Sequence, residues 1–185
     1  MNFNRIYTEK EINKIINSMV ILIDTRDKQI SHIIMYLKHN NINYERYTLE
    51  FADYSFKIPK NIDLGIEEDL YFNNEIAIER KASAEEISNN FSNCRDRFKR
   101  EFEKGNNKIR LMIENTTYSD ISNHNYDTKF SEKSFIGSLH SFQESYNTPF
   151  IFIDKNHSGE YMYNTFKYYL RNKLKNNKIN AWQIT

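Results

Sequence analysis

The tripeptide Glu79-Arg80-Lys81 closes a short apolar run containing Ile76, Ala77 and Ile78. In an extended chain successive side chains alternate between faces, so Glu79 and Lys81 point the same way and Arg80 points away. Two further acids, Asp24 and Asp27, follow the apolar run 19–23, and Asp53 lies between two segments of strand-like alternation. Strand ends are where open α/β sheets bind ligands. Carboxylates converging there, with a backbone carbonyl such as that of Arg80, suit a hard divalent cation. A lysine beside that cation can orient or activate the water that attacks a phosphodiester, and can offset charge building on the phosphate. The chemistry would be metal-assisted phosphate-ester hydrolysis, but spacing alone does not select it. Glu-x-Lys is a common triplet. Asp24 equally suits capping the turn into the next helix, and Asp27 suits stabilising that helix's N-terminus through its dipole. On spacing alone these plainer roles outweigh a metal site.

The elements that must position these residues alternate in type. Thr8 with Glu11 is a capping-box pattern ahead of the stripe Ile12, Ile15, Ile16 and Met19, which predicts a first helix. Residues 19–23 are wholly apolar and too few for a helix, so they predict a buried central strand ending at Asp24. Ile30, Ile33, Ile34 and Leu37 follow helical spacing up to Asn40-Asn41. Residues 44–51 and 54–58 alternate as strands, with Pro59 ending the second, and 75–80 is another short strand after an acidic connection at 61–69. Ser83 with Glu86 repeats the capping pattern. The stripe Ile87, Phe91, Cys94, Phe98 and Phe102 then predicts one long amphipathic helix to Gly105. A strand at 109–113 and a polar loop at 116–128 follow. Next come a helix through Phe135, Leu139 and Phe142 closed by Asn147 and Pro149, a strand at 150–153, and a last basic helix through Met162, Phe166 and Leu174. This alternation predicts an α/β fold: a mixed central sheet flanked by helices on both faces. Residues 1–19 read as an N-terminal helical extension and 20–185 as a single domain.

Composition narrows the setting. With 185 residues, 39% hydrophobic and 15% aromatic, the chain can bury a sizeable core, and its few Gly and Pro argue for order. Lys and Arg number 26 against 25 Asp and Glu, so no global basic excess draws in phosphates, and a nucleic-acid partner has to rest on a local patch. The single Cys94 excludes an intramolecular disulfide and a Cys-based zinc site. The run 19–23 is too short for a membrane span and too interrupted for a signal-peptide core, so the expectation is a cytoplasmic protein with no membrane partner.

The wording of the motifs adds what spacing lacks. Ile23-Asp24-Thr25-Arg26-Asp27, then Ala52-Asp53-Tyr54, then Ile78-Glu79-Arg80-Lys81, then the Arg-bearing segment from Arg95, then Ile113-Glu114 stand in an order that resembles the nuclease domain of XPF-type structure-specific endonucleases, within the restriction-endonuclease-like superfamily. The resemblance spans about residues 20 to 154. It implies a restriction-endonuclease-like fold and a DNA endonuclease dependent on Mg²⁺, with Mn²⁺ able to substitute, acting on branched, flapped or junction DNA. Carried over position by position, Asp24, Asp27, Asp53 and Glu79 match the family's metal-binding acids. Lys81 matches its catalytic lysine, Arg80 its signature arginine with a partly structural role, and Arg95 its helix arginine near DNA phosphate. Three departures stand out. Asp27 replaces a Glu and is one methylene shorter, Glu85 stands where the family has Asp, and Ala52 replaces a Gly, so the backbone there is expected to avoid glycine-only angles. The sequence shows no helicase segment and no helix-hairpin-helix module.

Arg95, Arg97 and Arg100, with Lys99 and Lys104, form a basic cluster read as phosphate contacts, against the plainer reading of a solvated face laced with Asp96, Glu101 and Glu103. The Phe91, Phe98 and Phe102 stripe reads as core, Cys94 as buried and inert, and the five histidines as incidental. Apolar residues at Phe135, Leu139 and Phe142 and at Tyr163, Phe166, Tyr169 and Leu170 read either as a homodimer face or as cover for the chain's own sheet. Beside the nuclease stand two other readings: an inactive nuclease-like module that only holds DNA or a protein, and an RNA-directed nuclease.

Overall fold

The computed structural model describes residues 5–182. In chain order its elements are α1 (Glu9–Asn17), β1 (Val20–Asp24), α2 (Ser31–His39), β2 (Asn43–Tyr47), β3 (Tyr54–Ile58), β4 (Leu70–Tyr71), β5 (Ala77–Lys81), α3 (Ala84–Phe91), α4 (Arg95–Gly105), β6 (Ile109–Glu114), α5 (Tyr118–Ser122), α6 (Glu132–Tyr146), β7 (Phe150–Ile153) and α7 (Ser158–Trp182). The strands form one sheet in the order β2-β1-β3-β5-β6-β7, with the short β4 paired to β3. β1 runs parallel to β2 and antiparallel to β3; β3 is antiparallel to β5; β5, β6 and β7 are mutually parallel. The carboxyl ends of β1, β5, β6 and β7 therefore share one edge, where Asp24, Lys81 and Glu114 emerge.

Alternation along the strands sorts the core into two halves. Ile21, Ile23, Tyr54, Phe56, Ile78 and Met112 pack with α1, α2 and α7. Ala77, Leu111 and Ile113 pack on the opposite side with α3, α4, α5 and α6. Helices thus cover both faces of a mixed sheet, as the alternation predicts. α1 joins the first half through Ile12, Ile15 and Ile16, and its capping box is closed in both directions by Thr8 and Glu11. Among the described residues no helix is long and apolar enough to cross a membrane.

Several expectations change in detail. The long helix expected from Ser83 to Gly105 is two helices, because the chain turns at Ser92, Asn93 and Cys94. The apolar stripe survives the break: Phe91 and Phe98 still meet edge to face, with ring centres 5.8 Å apart. Stripe spacing reports which side chains share a core, and two realigned helices satisfy it as well as one. Cys94, released at the turn, is half-exposed rather than buried. The expected loop at 116–128 contains α5, capped by Thr117 and Asp120. Phe135, Leu139 and Phe142 of α6 and Phe166 and Leu170 of α7 are all buried in this chain's own core. They cover its sheet, while Tyr163 and Tyr169 of the α7 stripe are only partly buried.

Candidate active site

The sheet sends β5's side chains where alternation predicts. Lys81 donates from Nζ to Glu79 Oε1 at 2.5 Å on the α3–α4 side. Arg80 emerges on the other side and is clamped between two acids. Its Nη1 donates to Glu114 Oε2 at 2.9 Å and its Nη2 to Asp27 Oδ1 at 2.9 Å. Tyr54 donates its hydroxyl to Asp27 Oδ2, and His32 Nε2 lies 2.8 Å from Glu114 Oε1. His32 is therefore part of the network behind the sheet edge, not incidental.

Asp53 sits at the bend that enters β3. Its amide donates to Ile78 O at 3.0 Å, its carbonyl accepts from Asp24 N at 2.8 Å, and its Oδ2 accepts from Arg80 N at 2.8 Å. The preceding Ala52 has φ +59°, against the expectation that an alanine there avoids such angles. Left-handed backbone costs an L-residue roughly 1–2 kcal/mol. Asp53's two ladder bonds and the Ala52 amide's own acceptor, Glu101 Oε1 at 3.2 Å, offset that cost.

Glu79 is buried and Asp53 half-buried, and the two acids are close enough to repel. Burial, then the Glu79 charge, pushes the Asp53 carboxyl well above the usual range, with Lys81 opposing. Burial likewise pushes Glu79 up to about 7; Lys81 pulls it back and Glu101 adds to the rise. Burial disfavours the Lys81 ammonium, yet the Glu79, Asp53 and Glu86 charges around it hold it protonated above its ordinary value. Lys81 also lies 5.0 Å from the centre of the Phe98 ring, so a residue of the apolar stripe forms one wall of the site. Glu79 Oε2 is buried with no hydrogen-bond partner among the described residues. An orphaned carboxylate oxygen beside a second strained carboxylate is a site short of positive charge. Among the described residues no three His, Cys, Asp or Glu side chains converge closely enough to hold a metal ion. Asp53 and Glu79 do fit a cation such as Mg²⁺, which commonly uses one or two carboxylates and takes its remaining ligands from water and phosphate.

The other predicted acids are engaged elsewhere. Asp24 is fully buried; Arg26 grips it through Nε at 2.6 Å and Nη2 at 3.0 Å, and the Leu49 amide donates to it at 2.8 Å. Burial would raise its carboxyl, but these bonds hold it below its ordinary value. These bonds hold the turn after β1 together. Asp27 lies on the cavity wall, with its carboxylate held by Arg80 and Tyr54. Glu85 accepts from the Asp127 amide at 3.0 Å and does not line the cavity.

The acids open into a cavity of about 620 Å³ whose lining includes Arg26, Arg97, Arg100, Lys104, Glu86 and Glu101. Arg95 is absent from it. Its Nη1 donates to Phe91 O and Ser138 Oγ, both at 3.1 Å, tying α4 to α3 and α6. The signal separating these arginines was present in the spacing. Arg97, Arg100, Glu101 and Lys104 stand at i, i+3, i+4 and i+7 and share one helix face, whereas Arg95 shares its face with Phe98 and Phe102. Phe98 and Phe102 are buried, each worth roughly 1.5–3 kcal/mol, and they fix the rotation of α4 that aims the cations at the cavity. Arg26 was not singled out from the sequence, since it sits in a turn with no periodicity to place it.

The family model of the ERCC4 domain matches residues 23–165. No curated protein matches the chain. Among solved structures it is similar to XPF from Aeropyrum pernix, with a TM-score of 0.57 and 14% identity over 81% of this chain and 61% of that one. It is also similar to XPF from Aeropyrum pernix in complex with DNA, with a TM-score of 0.55 and 12% identity over 81% of this chain and 64% of that one. The likeness lies in the fold, and it spans less than two thirds of either relative.

Proposed function

As this chain belongs to the ERCC4-domain family, we propose that it is a DNA endonuclease that hydrolyses phosphodiester bonds at Asp53, Glu79 and Lys81. The observation that carries this reading is a pair of mutually repelling carboxylates beneath a rim of cations, Asp53 half-buried and Glu79 buried with an orphaned oxygen and a hydrogen bond to the buried Lys81. A divalent cation, Mg²⁺ or in its place Mn²⁺, held by Asp53 and Glu79 would supply Lewis-acid polarisation of the scissile phosphate. The Arg80 amide orients Asp53 for that task. Lys81, kept charged by its neighbours, donates to the attacked phosphate and offsets charge that grows in the transition state. Arg97, Arg100, Lys104 and Arg26 contact phosphates to either side and set the register of the strand. The likeness to a structure solved in complex with DNA supports DNA over RNA, and the family resemblance supports branched or flapped DNA over plain duplex.

The test is cleavage of flap, fork, four-way-junction and duplex DNA, and of matched RNA, with Mg²⁺ or with EDTA. Cutting of a branched DNA that EDTA abolishes is the expected result. Binding to every substrate with no cutting in Mg²⁺ would mean a holding module and overturn the proposal. The burial of Phe135, Leu139, Phe142, Phe166 and Leu170 favours cover for the chain's own sheet over a homodimer face. Light scattering at micromolar concentration without DNA is expected to give the 22.3 kDa monomer mass.

A further inference from the structure

We propose that Glu101 is a positioning residue: by accepting from the Ala52 amide it locks the left-handed kink that aims Asp53 at Glu79. The inference rests on the reading of Asp53 and Glu79 as the cation-holding pair. Ala52 is buried, at 1% exposure, and its φ of +59° is one that alanine rarely adopts. The peptide that carries this kink leads directly into Asp53, whose own amide and carbonyl are committed to β5 and β1. The torsion at Ala52 therefore sets the direction in which the Asp53 side chain leaves the bend. Glu101 Oε1 meets the Ala52 amide at 3.2 Å, and α4 holds Glu101 firmly because the buried Phe98 and Phe102 beside it anchor the helix in the core. In charge alone a third acid here is unwelcome, since Glu101 adds to the rise of Glu79. Its hydrogen bond at a strained peptide is the contact that offsets this, so an uncharged acceptor of the same shape should serve as well.

The test compares Glu101→Gln, Glu101→Ala, and Glu101→Ala combined with Ala52→Gly. Three quantities are measured: amide hydrogen exchange in EDTA, Mg²⁺ affinity by calorimetry, and kcat and KM on the best DNA substrate. Glu101→Ala is expected to speed exchange at the Asp53 and Arg80 amides at least tenfold while Leu111 and Ile113 stay protected. It should also weaken Mg²⁺ about tenfold and lower kcat more than it raises KM. Glu101→Gln, which keeps the acceptor, should stay within about threefold of the wild type throughout. Ala52→Gly should restore protection and Mg²⁺ affinity in the Glu101→Ala background, because glycine takes positive φ without the steric cost. Unchanged Asp53 and Arg80 exchange in Glu101→Ala, equal damage from Gln and Ala, loss of protection throughout the sheet, or no rescue by glycine would each overturn the proposal. A wild-type protein that cuts nothing yet shows this exchange pattern overturns the nuclease reading and leaves the positioning role standing.

Discussion

Replacing Glu79 with Gln should stabilise the protein at pH 8 while abolishing cleavage. The substitution keeps shape and removes charge. Burial pushes the Glu79 carboxyl from an ordinary 4.5 up to about 7. A group whose folded-state pKa is raised gives its full stability below the unfolded value and loses it as pH climbs toward the folded one. Glu79 therefore costs nothing below about pH 4.5, and its cost grows until about pH 7. A carboxyl moved that far represents roughly 3 kcal/mol, taken as an upper bound because relaxation and water entry reduce it. The Gln variant is uncharged throughout and should gain about 1–3 kcal/mol at pH 8. At about 2–4 °C per kcal/mol for a chain of this size, the melting temperature should rise by roughly 2–12 °C, with the gain shrinking toward pH 5. Thermal melts followed by circular dichroism in EDTA across that range read it directly. Adding Mg²⁺ at about a thousand times its Kd should reverse the order, since that stabilises the wild type by about 4.1 kcal/mol and the variant hardly at all. A variant less stable than the wild type at pH 8 without metal, or a gain independent of pH, would refute the claim that Glu79 is a buried charge awaiting a cation.

Three more outcomes are expected. Lys81→Met removes the cation between Glu79, Asp53 and Glu86; it should lose about 3 kcal/mol at pH 8 and all cleavage, yet keep Mg²⁺ binding by calorimetry, and retained cutting would strike Lys81 from the site. Arg97→Ala and Arg100→Ala should each weaken DNA binding evenly across sequences and shrink the slope of log K against log salt by about one, whereas Arg95→Ala should lower the melting temperature and leave the slope alone; an unmoved slope in the Arg97/Arg100 double variant would make that face merely solvated. Asp24→Asn should cost about 2–4 kcal/mol at pH 7, and because its carboxyl is held low the loss should fade as pH drops through that depressed value; undiminished Mg²⁺ affinity would place it with the turn, and a large loss of affinity would return it to the metal site.

Much of this site was legible before any tertiary contact. Strand alternation is a local property with a period of two, so the shared face of Glu79 and Lys81 and the opposite heading of Arg80 follow from three adjacent letters, and the folded chain keeps them so. The wholly apolar run 19–23 likewise specifies a central strand covered on both sides. The wording around Asp53 and Glu79 specified the family. Other features depend on partners distant in the chain. Which of Asp24, Asp27 and Asp53 keeps its carboxylate for the cavity is decided by Arg26, Arg80 and Tyr54, which reach the first two. Helix spacing already separates Arg97 from Arg95, but that Arg95 is spent on Ser138 of α6 rests on a contact 43 positions away. His32 meets Glu114 across 82 positions of chain, a distance that no motif spans. Ala52 holds a left-handed torsion that its own side chain disfavours because Glu101, on a helix packed by phenylalanines, takes its amide. Period, propensity and motif are short-range and are written in neighbouring residues, whereas the choice among like-charged groups is made by burial and by the counter-charge that packing brings to each.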